Sequence, residues 1–402
     1  MVRRAIFLIL CLLLLTGCWN RREIETLGFV SVVGLDRAPE DDKIMVTVHV
    51  DKPFSVASSE GGGVQLEKGF WVVSSTGHTV FEAIRNFTSQ TPRRLSFFHN
   101  QFIIFGEELA REGVKDVLDF FDRDGEPRRL AQLMIGKDAR ATEILQLESE
   151  MEILPTAAFS GILRNTTRGQ SSVVTTKLHD FLIRLHTEGI EPVATRIEMI
   201  PKKAVPLDLT GEVLRLEVTH SPRITGAAVF KGDRLVGWLD QKETRGLNWV
   251  TGDVEGGIIV VEHPSLPNDK ISLEVLRVSG SFEPQVQGDR VTVLVELKVE
   301  GNLGDSQGLL QDSLKQDQDL WGQLEKAMAS AIHNEIMESV TTLQNLNSDA
   351  FGFGAALFRN NPEEWKRLGK RWDEIFPLID VQTDIVTKLR RPGIITRTSR
   401  KS

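Results

Sequence analysis

Gly304-Asp305-Ser306-Gln307-Gly308 has the G-x-S-x-G spacing that lifts a serine nucleophile out of a sharp strand-to-helix turn in hydrolases. A strand pattern precedes it and a helical pattern follows, but Gly301 to Leu303 separate the motif from the strand's expected end. Asp305 and Ser306 are also ordinary helix-capping residues. Eight histidines stand at 49, 78, 99, 179, 186, 220, 263 and 333. Only His179 and His186 could share a helix face, and no third metal ligand joins them. Asp122-Arg123-Asp124-Gly125 lacks the third oxygen ligand that a calcium loop carries before its glycine. Gly352-Phe353-Gly354 lacks the third glycine of a dinucleotide loop and reads as a helix entry. Glu40, Asp41 and Asp42 form a solvated turn. No catalytic residue, metal ligand or dissociable cofactor is expected.

The remaining reactive group is a thiol. Arg3 and Arg4 precede an apolar run from Ala5 to Leu15, and Thr16, Gly17 and Cys18 follow. A basic start, a short apolar core and a small-residue cleavage site describe an export signal. The run is shorter than the roughly 17–25 residues of a spanning helix. L-T-G-C resembles the lipobox of bacterial lipoproteins, in which the cysteine is acylated and becomes the first residue. A disulfide has no candidate partner, because the other cysteine, Cys11, lies inside the signal. Two or more acyl chains give stable anchoring where one does not. The expectation is a signal at 1–17, a diacylglycerol on Cys18, and a body folded outside the cytoplasm.

Removing Arg3 and Arg4 with the signal leaves 46 basic side chains against 56 acidic ones. That balance argues against nucleic acid, whose binders carry a basic excess. The body is too long for one comfortable core, so several domains are expected.

The elements follow from periodicity. Strands are expected over Leu27–Leu35, Lys43–Val50 and Trp71–Gly77, with Ser55–Gly63 a loop and Thr79 capping a helix that runs to about Gln90. Phe98–Gly106, Gly113–Asp124 and Arg129–Lys137 read as strand, helix, strand, a crossover unit that favours parallel pairing. A helix opens at Ala141, and another runs from Thr175 to a C-cap at Gly189. Prolines 201, 206 and 222 mark a join between halves. Beyond it, a hairpin turns at Lys231-Gly232-Asp233, and a helix covers Gln241–Val250. Three strand runs follow, then a long helix with Leu320, Leu324, Met328, Ile332, Ile336, Val340 and Leu343 on one stripe. A shorter helix from Pro362 and a strand at Val381–Leu389 complete the chain. The expected class is α+β and multi-domain. The N-terminal half, 18–205, carries a mixed sheet with crossover helices. The C-terminal domain, 206–393, carries an antiparallel sheet packed with the long helix, and 394–402 is a basic tail.

Four phrases together carry a family resemblance. GCWNRREIE at 17–25 resembles the mature start of the C-subunit lipoproteins of bacterial spore germinant receptors, the Ger(x)C family, where G-C-W-D-R-R-E-I is typical and Asn20 replaces the acid. SFFHNQFIIFGEELAREGVKDVLDFFDRD (96–124), ITGAAVFKGDRLVGWLDQKETRGLNWV (224–250) and DAFGFGAALFRNNPEEWKRLGKRWDEIFP (349–377) are similar to its later blocks. The resemblance spans essentially the whole body. It implies a non-enzymatic protein anchored to the outer face of the spore inner membrane. It also implies assembly with a polytopic A subunit and a transporter-like B subunit into a receptor that triggers germination on sensing nutrients.

Partner or membrane contact is assigned to Arg21, Arg22 and Glu23, beside the lipid, and to Glu243 and Arg245. The structural alternative is a solvated spacer for the first three. For the last two it is a mutual pair beside Gly246, where the backbone comes close to a neighbour. His99 and Asn100 are expected to satisfy a buried turn. Trp238, Trp249, Trp365 and Trp372 are expected in packing. The arginines at 390, 391, 397 and 400, with Lys401, read as a frayed terminus. The competing function is a solute-binding lipoprotein delivering a small molecule to a transporter, against which the two halves share no repeat. A hydrolase would rest on Ser306 alone.

Overall fold

The structure, a computed structural model, describes residues 3–4, 23–40, 42–52, 69–149, 151–201, 220–264, 269–306 and 318–390. Cys18, Arg21, Arg22, the loop at 55–63 and the tail beyond Arg390 lie outside the described residues.

The first half runs β1 (Leu27–Arg37), β2 (Ile44–Asp51), β3 (Phe70–Gly77), α1 (Val80–Asn86), β4 (Arg94–Ser96), β5 (Phe102–Phe105), α2 (Glu107–Glu112) and α3 (Lys115–Arg123). It continues through β6 (Gln132–Lys137), α4 (Ala141–Leu145), α5 (Pro155–Gln170), α6 (Leu178–His186), β7 (Val193–Pro201), β8 (His220–Lys231) and β9 (Arg234–Leu239). These strands form one nine-stranded sheet in the order β3-β2-β1-β5-β6-β7-β8-β9, with β4 also paired to β1. β1, β5, β6 and β7 run parallel, and antiparallel hairpins flank them on both sides.

Alternation along β5 and β6 explains the layers. Ile103, Phe105, Leu133 and Ile135 join a core with Val80, Leu109, Leu118, Phe121 and Phe181, so α1, α2, α3 and α6 contribute to one face. Phe102, Ile104 and Met134 point the other way, onto Ile144, Phe159 and Leu163 of α4 and α5. Sheets with a parallel centre need helices on both faces, and the crossovers supply them. Thr79 caps α1 as expected, its hydroxyl accepting from the Glu82 N–H at 3.1 Å.

The second half runs α7 (Gln241–Thr251), β10 (Gly257–Glu262), β11 (Lys270–Gln287), β12 (Arg290–Ser306), α8 (Gln318–Asn345), α9 (Phe353–Asn360), α10 (Pro362–Leu368), α11 (Trp372–Ile375) and β13 (Asp380–Leu389). Its sheet has the order β10-β11-β12-β13. The apolar stripe of α8 packs against it: Leu320, Leu324, Met328, Ile332, Ile336, Val340 and Leu343 are all buried with Val293, Val295 and Leu297 of β12. Among the described residues no helix is long and apolar enough to cross a membrane.

The structure amends several expectations. β8 and β9 lie beyond the expected boundary at 205/206, yet they complete the first sheet. The run Ala227-Ala228-Val229-Phe230 is buried throughout, and pairing with β7 satisfies its backbone. β10, β11 and β12 are antiparallel as expected, but β13 joins β12 in parallel, because the helices α8 to α11 form a crossover between them. α6 ends at His186 with Thr187 as its cap, not at Gly189. The helix from Pro362 breaks at Gly369, where a 3₁₀ turn separates α10 from α11. α5 had no counterpart in the periodicity reading.

Removing buried methylenes from the α8 stripe leaves a cavity that its neighbours on β12 cannot refill. Ile336→Ala is expected to lower stability by about 2–5 kcal/mol, read as a lower urea midpoint with an unchanged slope.

Candidate functional site

The distinctive segments of the sequence meet at the seam between the two sheets. Asp240 and Glu243 form a reciprocal cap at the start of α7: each backbone N–H donates to the other's carboxylate, at 2.7 and 2.9 Å. Glu243 also accepts from the Thr342 hydroxyl of α8 at 2.5 Å. Arg245 does not pair with Glu243. It makes a two-pronged contact with Glu335 of α8, Nε to Oε2 at 2.8 Å and Nη2 to Oε1. The Trp249 indole N–H donates to the same carboxylate at 2.9 Å. Gly246 lies between them, where any Cβ would collide with the Glu335 carbonyl. α7 and α8 are therefore in backbone contact, locked by one buried acid. Arg245 and Glu335 keep only 15% and 10% of their side-chain surface, so the guanidinium's charge is engaged inside the fold. Glu243 is likewise committed to the cap and to Thr342.

The far end of α7 holds the first half. The Asn248 amide donates to the carbonyls of Ser171 and Val173, at 2.8 and 3.1 Å. Ser171 closes α5 in the left-handed conformation, φ 48°, and its hydroxyl oxygen accepts from the N–H groups of Glu255 and Gly256.

A second knot joins the α6–β7 turn to residues 348–373. Asp349 is fully enclosed. Its Oδ1 accepts from the Gly352 and Phe353 N–H groups at 2.8 and 3.1 Å, and its Oδ2 accepts from Gly354 N–H and the Trp372 indole, both at 2.9 Å. Gly352, at φ 82°, opens α9. So the glycine pair expected at a helix entry serves to wrap backbone donors around a carboxylate. Burial still outweighs those donors and pushes the Asp349 pKa up to about 6. Arg184 of α6 donates to the Ala350 carbonyl at 2.8 Å and to the Glu191 carbonyl at 3.3 Å. Burial pushes its guanidinium down, against the pull of Asp253, Asp349 and Asp180. Gly189, at φ 75°, presses on Gly354 and accepts from the Ala355 N–H at 2.8 Å. That close approach, not helix capping, is what requires glycine there. Trp365 donates to Glu188 at 3.0 Å and packs on Trp372, with ring centroids 5.3 Å apart.

Two clefts open along this seam. One, of about 710 Å³, is lined by Arg164, Thr167, Asp180, Arg184 and Asp253. The other, of about 670 Å³, lies over Asp349 between Glu188, Trp365 and Lys366. Gly304 to Ser306 are the last residues of β12, Ser306 in register with Ile271, so the expected gap between strand end and motif is absent; Gln307 and Gly308 lie outside the described residues. Among the described residues no group of three metal-binding side chains converges. His186 bonds its own helix carbonyl at Leu182. His49, buried against Leu145 and stacked on Phe70, has its pKa pushed down to about 4 by burial. Of the residues expected at a buried turn, Asn100 is buried with both amide atoms unpartnered and His99 is exposed. Trp249, Trp365 and Trp372 are in packing as expected. Glu23 is exposed.

Asp349, Glu335, Arg184 and Ser171 were not singled out from sequence. Glu335 carried a faint signal, an acid beside Ile336 on an otherwise apolar helix stripe. Asp349 stood immediately before a glycine-rich helix entry, where acids cap N–H groups.

Residues 20–199 match the family described as spore germination protein N-terminal domain, and residues 225–393 match spore germination B3/GerAC-like, C-terminal. The chain belongs to this two-part family of spore germination proteins. It is similar to spore germination protein KC of Bacillus subtilis (strain 168), 28% identical over 403 residues that cover 98% of this chain and 97% of that one. Spore germination protein B3 of the same organism is 24% identical, with 96% of each chain covered. The crystal structure of the GerBC protein shares the fold, with a TM-score of 0.56 at 18% identity over 89% of this chain and 97% of that one.

Glu335→Ala would leave the Trp249 indole without a partner and Arg245 with only the Ile258 carbonyl, at 3.3 Å, at a cost of about 3–5 kcal/mol. Adding Arg245→Ala should recover part of the loss, so a double-mutant cycle in urea should show coupling above about 1 kcal/mol.

Asp349 adds a pH dependence of known sign. The unfolded group ionises near 3.8 and the folded one near 6. Across that window the folded protein holds the extra proton, so stability falls as pH rises through it and levels off above. Asp349→Asn should flatten that segment of the urea-midpoint profile. It should also cost about 1–3 kcal/mol, because its NH₂ would face N–H donors.

Proposed function

We propose that the protein is the lipid-anchored, non-enzymatic C subunit of a nutrient germinant receptor, assembled with a polytopic A subunit and a transporter-like B subunit. Cys18 carries the diacylglycerol and holds the body on the outer face of the spore inner membrane. The observation that carries this reading is the match of both halves, in order, to spore germination families, continuous with a lipobox at Leu15–Cys18. The seam supports a structural role. Its charged residues spend their hydrogen bonds inside the fold: Arg245 and Glu335 join α7 to α8, Asp349 gathers the 352–354 turn and Trp372, and Arg184 ties α6 to the Ala350 carbonyl. A body so knitted transmits position between anchor and partners.

Cys18→Ala is expected to move the protein from the membrane to the soluble fraction and to abolish germination on nutrients. Two polytopic proteins should co-purify with the unaltered chain in mild detergent. A Cys18→Ala protein that stays in the membrane fraction of normally germinating spores would refute the anchor.

A further inference from the structure

The parallel centre of the first sheet gives it two unlike ends. β1, β5 and β6 start at the same end, as the registers Val32 with Phe102 and Phe102 with Gln132 require. β4 lies there as well, Leu27 facing Arg94. The segments that enter these strands therefore lie at one end of the sheet: residues 23–26 before β1, 97–101 before β5, and 128–131 before β6. Each presents a large apolar side chain to solvent. Ile24 is 71% exposed, Phe98 51% and Leu130 67%. Arg93 and Arg128 stand beside Arg94 and Leu130 and make no ion pair among the described residues, while Arg94 pairs with Glu126 and Arg129 with Asp122. Glu23 and Glu25 are the acids of the entry to β1.

We propose that this end of the first sheet rests on the phospholipid surface, with Phe98 and Leu130 entering the headgroup–acyl boundary and Arg93 and Arg128 meeting lipid phosphates. The inference depends on the Cys18 anchor proposed above. Five residues lie between Cys18 and Ile24, and the six Cα steps, fully extended, reach roughly 20 Å. β1 alone, at about 3.4 Å per residue, is longer than that tether, so the start of β1 stays near the bilayer while the turn joining β1 to β2 can be held away from it. Tethering also raises the effective concentration of this end at the membrane, so contacts too weak to bind a free protein become occupied. Apolar side chains flanked by arginines are the chemistry that an interfacial surface requires.

The test uses the full mature, lipidated protein in vesicles of phosphatidylcholine and phosphatidylglycerol. Once Cys18 is acylated the mature chain has no other thiol, so Phe98→Cys and Leu130→Cys can each carry an environment-sensitive fluorophore. Glu40→Cys, in the exposed turn at the opposite end of β1, is the reference. The expected result is a blue shift at 98 and 130, with quenching by acyl-chain quenchers several-fold greater than at 40. Equal quenching at all three positions, in protein that floats with the vesicles, overturns the proposal. Burial of positions 98 and 130 only when the polytopic subunits are co-reconstituted overturns it too, and assigns the surface to those subunits. Protein that does not float and lacks the acyl mass on Cys18 marks failure of the anchor itself, a result separable from both.

Discussion

A carboxylate taken out of water must be surrounded by donors, and two such carboxylates set how this molecule is joined. Glu335 takes the guanidinium of Arg245 and the indole of Trp249; Asp349 takes three backbone N–H groups and the indole of Trp372. The donors to Glu335 come from α7, and those to Asp349 from its own turn and from Trp372. The first set fixes the crossing of α7 on α8, and the second folds the 349–354 turn against α11. Buried ionic groups of this kind add little net stability compared with apolar packing, and their best-attested role is to specify one arrangement. Hydrophobic contact alone would tolerate sliding of α7 along α8. The two-pronged Arg245 contact and the bare backbone at Gly246 do not.

The same economy accounts for the glycines of the distinctive segments. Gly246 and Gly189 each stand where two backbones touch, and Gly352 supplies the left-handed turn that aims N–H groups at Asp349. Residues that read as a docking surface in one dimension thus form an internal joint in three. The family match covers both sides of that joint, and most of its polar side chains face inward. The body behaves as one construction in which the second sheet is held by the first through α7.

The α8 stripe, the crossover from β5 to β6 and the β8–β9 hairpin were legible because each is written in a local period: three-or-four spacing, apolar alternation, or a glycine turn. What was not legible depended on partners far away in the chain. α5 carries Gly161, Gly169 and several threonines, and Phe159 and Leu163 are its only large apolar side chains that are buried, so its apolar face is too thin to announce a helix. The assignment of β8 to the first sheet needs β7, and the parallel entry of β13 needs the path of four intervening helices. In the seam, Arg245 could be read as charged and Gly246 as small. Only the distant Glu335 turns that pair into a lock, and no spacing within α7 points to it. Residue type predicted which groups were special; it did not say whether they faced solvent or each other.

The position of β1 has a mechanical consequence. It is an interior strand, hydrogen-bonded along its length to β2 on one side and to β4 and β5 on the other, and a 3₁₀ turn at Ile24–Thr26 leads into it. A pull along β1 loads both ladders in shear, so that many hydrogen bonds resist together. An edge strand pulled sideways would instead peel open one bond at a time. Force that reaches the protein through its first residues is delivered to a strand paired on both sides, and the sheet moves as a block before it yields.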